Sequence, residues 1–246
     1  WPATIGMTEK ASMGALQDYV DMMINTDTSK VDEVLRSPAT VRQLMRSLSR
    51  NISTVANMST IRKDMMGDDD AISVKTISSY INALRRIFIV EDLPAWNPSL
   101  RSQTAVRSSP KRHFVDPSIA TSVLHTSPDG LLNDFNTFGL LFESLCVRDL
   151  RVYSQVLNGE VFHYRDNYGL EADAIVHLMD GRWGAFEIKM GSKEIEEGVK
   201  NLRKLKEMID EERMRPPSFM MVLTATEYAL ENDDGVHIVP IGCLRD

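Results

Sequence analysis

Residues 164–192, YRDNYGLEADAIVHLMDGRWGAFEIKMGS, limit the possible folds more than any other stretch of the chain. Asp180-Gly181 separates two runs of strand-forming residues. A tight hairpin turn needs positive φ, which glycine adopts without steric penalty, so the pattern predicts two antiparallel strands. Side chains alternate across a strand, placing Glu171 and Asp173 on one face, and Glu187 and Lys189 likewise. Ala172, Ala174 and Val176 are then expected on the opposite face of the first strand, and Phe186 and Ile188 on that of the second. Acids on adjacent strands, with a lysine two positions beyond the last, can form a divalent-metal site. Hard carboxylate oxygens suit Mg²⁺ or Mn²⁺, and the lysine can orient or deprotonate a water.

The flanking pattern extends this hairpin. Residues 131–157 are apolar around most of a helical circumference and predict one long central helix. Glu143 sits there among Leu140, Cys146, Val147 and Leu150 at helical spacing. A carboxylate in an apolar sector is costly unless it is paired or bound to metal. A metal role beside the strand acids and an ion pair with Arg148 or Arg151 both satisfy that demand. Val161–Arg165 predicts a strand before the hairpin, residues 196–212 an amphipathic helix after it, and Phe219–Thr224 and Val236–Ile241 two further strands. His163, His177 and His237 lack zinc-ligand spacing and read as packing or surface residues.

The first half reads as helical. Apolar spacing predicts helices over 8–25, from Pro38 through Leu48, over Val55–Met65, and over 72–90 with Ser73 as a cap. Gly67-Asp68-Asp69-Asp70 reads as a solvated turn rather than a metal loop. In the 72–90 helix Ile77, Tyr80, Ile81, Leu84 and Ile87/Phe88 mark a buried face, while Lys75, Arg85 and Arg86 are expected to face outward. The segment 94–115 is irregular and basic, with Arg101, Arg107, Lys111 and Arg112 in an expected exposed loop and Trp96 as its anchor or a base-stacking platform. Short helices, a helix with an exposed polar face and a basic loop before Phe114-Val115 resemble a winged helix-turn-helix. Lys75, Arg85, Arg86, Arg107, Lys111 and Arg112 would then be its nucleic-acid contacts, and protein packing its other use.

Charge divides unevenly. Residues 1–115 hold 15 Lys/Arg against 12 Asp/Glu, and the remainder 13 against 23. An acidic second half is poorly steered towards nucleic acid, so any such grip is expected from the first half. Two cysteines are too few for a disulfide framework and predict a reducing, cytoplasmic setting. No apolar run has the length of a membrane span, and no signal peptide is expected. It opens on Trp1-Pro2-Ala3, which predicts a piece of a longer protein.

Asp173 followed by Glu187-Ile188-Lys189 resembles the active-site signature of the PD-(D/E)XK nuclease superfamily, with Ala172 where that signature has proline. The expected element order α-β-β-β-α-β is the one such nucleases use. Taken whole, WPATIG, ISVKTISSYINALRRIFIVEDLPAW, SPKRHFVDPSIA, GLLFESLCVRDL, YRDNYGLEADAIV and FEIKMGS resemble the C-terminal region of prokaryotic AAA-type ATPases that end in a domain of unknown function. The resemblance implies an α/β (α+β) chain in two parts: a helical, winged-helix-like domain over 1–125 and a nuclease-like domain over 126–246. It implies Asp173, Glu187, Lys189 and Glu143 as the catalytic set, with Asp173, Glu187, Glu143 and, as an extra ligand, Glu171 holding Mg²⁺. It also implies an ATPase domain in the full-length chain as partner. No GxxxxGK[ST] motif occurs, so ATP is expected to act only through that absent domain. Two functions stay open: a DNA- or partner-binding module of such an ATPase, and a Mg²⁺-dependent DNA endonuclease.

Overall fold

The computed structural model describes residues 1–65, 72–97, 109–166, 168–210, 212 and 214–245. The aspartate run 68–70, Arg101 and Arg107 lie outside them. The chain forms two compact units, one made of residues 1–92 and 112–141, the other of 93–111 and 142–246. The units interleave in sequence: 93–111 falls in the second and 126–141 in the first.

The first unit is helical. Its helices are α1 (Glu9–Met22), α2 (Thr28–Lys30), α3 (Pro38–Arg50), α4 (Met58–Met65), α5 (Val74–Arg86), α6 (Pro117–Leu124) and α7 (Pro128–Leu132). Their starts follow from the sequence. Thr8, Ser37, Ser73 and Asp116 each accept a hydrogen bond from a backbone N–H of the first turn. Each satisfies a donor the helix itself leaves unpaired. Pro38 and Pro117 occupy the first helical position, where no N–H is needed. The apolar stripes meet in one core built on Val20, Leu44, Met45, Ile61, Ile77, Ile81 and Leu84. The α5 stripe is the one expected as far as Leu84; the helix ends at Arg86, and Phe88, at φ 56°, is 76% exposed rather than buried. Strands β1 (Val90–Leu93) and β2 (Lys111–Phe114) pair as a two-stranded sheet, so a strand pair does follow α5.

The second unit is a mixed six-stranded sheet between helices. Helix α8 (Phe135–Val156) leads into β3 (Gly159–Arg165), β4 (Glu171–Leu178) and β5 (Trp183–Lys189); α9 (Ile195–Met208) and β6 (Phe219–Thr224) follow, then β7 (Leu230–Glu231) and β8 (Val236–Pro240). The strand order is β3-β4-β5-β6-β8-β7. β4 is antiparallel to β3 and β5, whereas β5, β6 and β8 run parallel. The chain order α-β-β-β-α-β is thus present. Gly181 takes φ 84° in the hairpin turn, as the Asp-Gly signal requires.

Three expectations need correction. The long helix begins at Phe135 rather than 131, because Asp134 caps it through the Thr137 N–H at 3.1 Å and α7 has ended at Leu132. The following helix stops at Met208, where Ile209 turns extended at ψ 124°. The third concerns β4. Phe162 pairs with Ile175 but Tyr164 pairs with Ala172, so Asp173 and Ala174 together oppose His163. This β-bulge breaks the alternation. Ala172 and Ile175 pack with Trp183, Ala185 and Leu202 of α9, whereas Ala174 packs with Phe142, Phe186 and Ile188. Ala172 and Ala174 therefore do not share a face.

Candidate functional site

The bulge in β4 re-aims Asp173. The β4–β5 ladder ends at Ala174 opposite Phe186, and the next free donor on β5, the Ile188 N–H, is taken by Asp173 Oδ2 at 2.8 Å. A side-chain carboxylate thus replaces a backbone acceptor and fixes Asp173 beside β5. Glu187 and Lys189 do share a face of β5, as expected: Lys189 Nζ lies 2.7 Å from Glu187 Oε2 and 3.9 Å from Asp173 Oδ2. Glu187 is 1% exposed and lies under α9. The helix approaches so closely that a Cβ on Gly198 would stand 3.2 Å from the Glu187 Cβ. From that helix the Asn201 side chain hydrogen-bonds Glu187.

Glu143 joins this group from α8, but not through the arginines expected. Arg148 turns instead to Asp149, at 2.8 Å. The partner of Glu143 is Lys111, at the start of β2, whose Nζ lies 2.7 Å from Glu143 Oε1 and 3.4 Å from Asp173 Oδ1. Lys111 is 6% exposed. The expectation of an exposed basic loop fails here, because burial of the ammonium is compensated by two carboxylates. Glu171 stands at the strand end and pairs with Arg165 at 3.1 Å, contributing to the field at Lys111 only from a distance.

The electrostatics follow from this count. Three carboxylates and two ammoniums leave one negative charge among largely buried side chains. Burial pushes Glu143 up to about 7; Lys111 opposes the shift and Asp173 adds to it. Burial likewise pushes Glu187 up to about 8, aided by Asp173 and opposed by Lys189. Burial pulls Lys111 and Lys189 the other way, yet the surrounding carboxylates outweigh it and hold both ammoniums above their ordinary value. A proton held among the carboxylates brings the cluster to neutrality, the state a low-dielectric interior favours.

The donor set does not fit a divalent cation. Glu143 Oε1 and Asp173 Oδ1 converge on an ammonium, and Asp173 Oδ2 is engaged by a backbone N–H. Among the described residues no group of three His, Cys, Asp or Glu side chains is arranged to hold a metal ion.

The residues expected to face nucleic acid are dispersed. Lys75 is exposed on α5. Arg85 hydrogen-bonds Asn82 at 2.9 Å and ion-pairs with Asp92, while Arg86 is exposed, 3.9 Å from Asp32. Arg112 is buried and donates to the Ala56 carbonyl at 2.6 Å, so it too leaves the expected loop. Trp96 is an anchor: it is buried against Trp183, with ring centroids 4.7 Å apart. Cys146 is a buried free thiol and Cys243 an exposed one.

Residues 1–130 match a family described as a domain of unknown function (DUF8612), and residues 138–244 match a second domain of unknown function (DUF4143). No curated protein matches the chain. No helix among the described residues is long and apolar enough to cross a membrane.

Proposed function

The chain belongs to the family described as a domain of unknown function (DUF8612), which specifies no activity, and from the geometry of its second unit we propose a non-catalytic partner-binding module of an AAA-type ATPase. In this reading a winged-helix-like part precedes a PD-(D/E)XK-like domain whose acidic cluster is a structural ion-pair network. The observation that carries the reading is the Lys111 ammonium between Glu143 and Asp173, where a nuclease would need its metal. Protein is favoured over DNA as the partner. Arg85 and Lys111 are committed to acids and Arg112 to a buried carbonyl, which leaves Lys75 and Arg86 as the exposed cations among the described members of the expected set. Two separated cations make a weak phosphate grip, since such affinity grows with the number of phosphates neutralised.

The Mg²⁺-dependent endonuclease remains the second reading, favoured by the bulge that turns Asp173 towards the Glu187–Lys189 pair. Incubation with supercoiled plasmid in Mg²⁺ or Mn²⁺, beside Asp173→Ala and Glu187→Ala, separates the two. The expected result is nicking no faster than in either variant. Cleavage that both substitutions abolish would establish the endonuclease instead.

A further inference from the structure

An apolar cavity in the second unit shares no residue with the acidic cluster. It encloses about 340 Å³ and takes its α8 lining from the last two turns, beyond Glu143. Leu150, Val156 and Leu157 line it from the helix end, and Val176, Gly184 and Phe219 from β4, β5 and β6. A Cβ on Gly184 would lie 2.4 Å from Phe219 Cζ, so the Phe219 ring rests on the bare glycine. Phe186 meets the same ring edge-on, with centroids 5.3 Å apart. Packing within the chain therefore fixes the aromatic lining, as in a preformed ligand site. Val156 and Leu157 are 67% and 61% exposed, which leaves apolar surface at the opening for a ligand to cover.

Charge selects among apolar ligands. Residues 116–246 hold 13 Lys/Arg against 23 Asp/Glu, yet the charged members of this lining are Arg182 and Arg245. Arg182 is paired with Asp180 at 2.7 Å, whereas Arg245 makes no ion pair among the described residues. A guanidinium beside an apolar hollow suits a ligand with one anionic head and one apolar tail. We infer that the cavity binds a medium-chain fatty carboxylate, with its tail against Leu150, Val176 and Phe219 and its carboxylate on Arg245. At about 30 Å³ for each water-sized group, the volume holds about eleven such groups, which is a chain of about eight to ten carbons with its head. The site stands whether or not the acidic cluster is catalytic.

Calorimetric titration of the unaltered protein with sodium decanoate at neutral pH, below its micelle concentration, tests this. One saturable site is expected, weakening about tenfold for each pair of methylenes removed through octanoate and hexanoate. Decanol, which lacks the charge, should bind about fivefold more weakly, and Arg245→Ala should lower decanoate affinity by about the same factor while leaving decanol unchanged. Val176→Phe, which narrows the cavity, should weaken decanoate at least about tenfold. If that variant does not fold, Arg245→Ala, at an exposed position, decides. No saturable decanoate binding, equal affinity for decylammonium, or decanoate binding indifferent to Arg245→Ala overturns the proposal. So does a peptide with a free C-terminal leucine that binds where decanoate does not, or a dimer that buries the cavity, since either gives it another occupant.

Discussion

Trp183→Ala is expected to destabilise the second unit by about 3–5 kcal/mol. Trp183 is 1% exposed at the start of β5, its ring lies 4.7 Å from that of Trp96, and its Nε1–H donates to the Arg215 carbonyl at 2.8 Å. Truncation removes the largest fully buried side chain among the described residues and opens a cavity between β5 and the Trp96 segment. It also strands a carbonyl that was hydrogen-bonded, adding about 1–3 kcal/mol if that group stays buried. Urea denaturation followed by far-UV circular dichroism measures the loss. Trp183→Phe should recover most of the packing but not the hydrogen bond, and so fall between the two. A loss under about 1 kcal/mol in Trp183→Ala would show that this core relaxes around the gap.

Stability is expected to fall as the pH rises from 7 to 9, by about 1–2 kcal/mol. The folded state raises Glu143 to about 7 and Glu187 to about 8, against 4.5 for the unperturbed carboxyl. The folded protein therefore holds protons that the unfolded chain has already released, and raising the pH costs it stability until those protons are gone. This contribution is fully present below the unfolded value and is lost as the pH passes through the folded ones. Lys111, Lys189, Asp173 and Asn201 are the charged and polar groups facing the two carboxyls. Their influence is already contained in the shifts. His163 works in the opposite sense: burial lowers it to about 4, so its contribution grows with pH up to its ordinary value of 6.5. The window above pH 7 avoids that overlap. Free energies of unfolding in urea at pH 7, 8 and 9 check the slope, and Glu143→Gln or Glu187→Gln should flatten it. A rise in stability across this interval would contradict the protonated cluster.

What could be read from the residues alone was what local geometry controls. Asp180-Gly181 dictates its own turn, Ser73 its own helix start, and the α5 stripe its own buried face. The face-sharing of Glu187 and Lys189 follows from strand alternation within one unbroken strand. The bulge at Asp173 escaped the same reasoning, because it depends on the register of β3 against β4 rather than on either sequence. Lys111 escaped for a different reason. It stands 62 residues from Asp173 and beside Arg112, in a basic segment where a lysine reads as solvated. The available signal was Glu143, an acid in an apolar helical sector that had to find a cation somewhere. The nearby arginines were the expected source, but Arg148 is held by Asp149. The interleaving of the units was hidden because Leu93, Trp96 and Lys111 contact the part of the chain that begins at 142.

Calorimetric titration of Mn²⁺ into the unaltered protein, beside Asp173→Ala, tests most directly whether the cluster is already neutralised from within. The expected result is no saturable heat that depends on Asp173, because Lys111 holds the place between Glu143 and Asp173. A one-site isotherm in the unaltered protein that Asp173→Ala abolishes would show that the seat is open to metal, and would contradict the internal counter-ion.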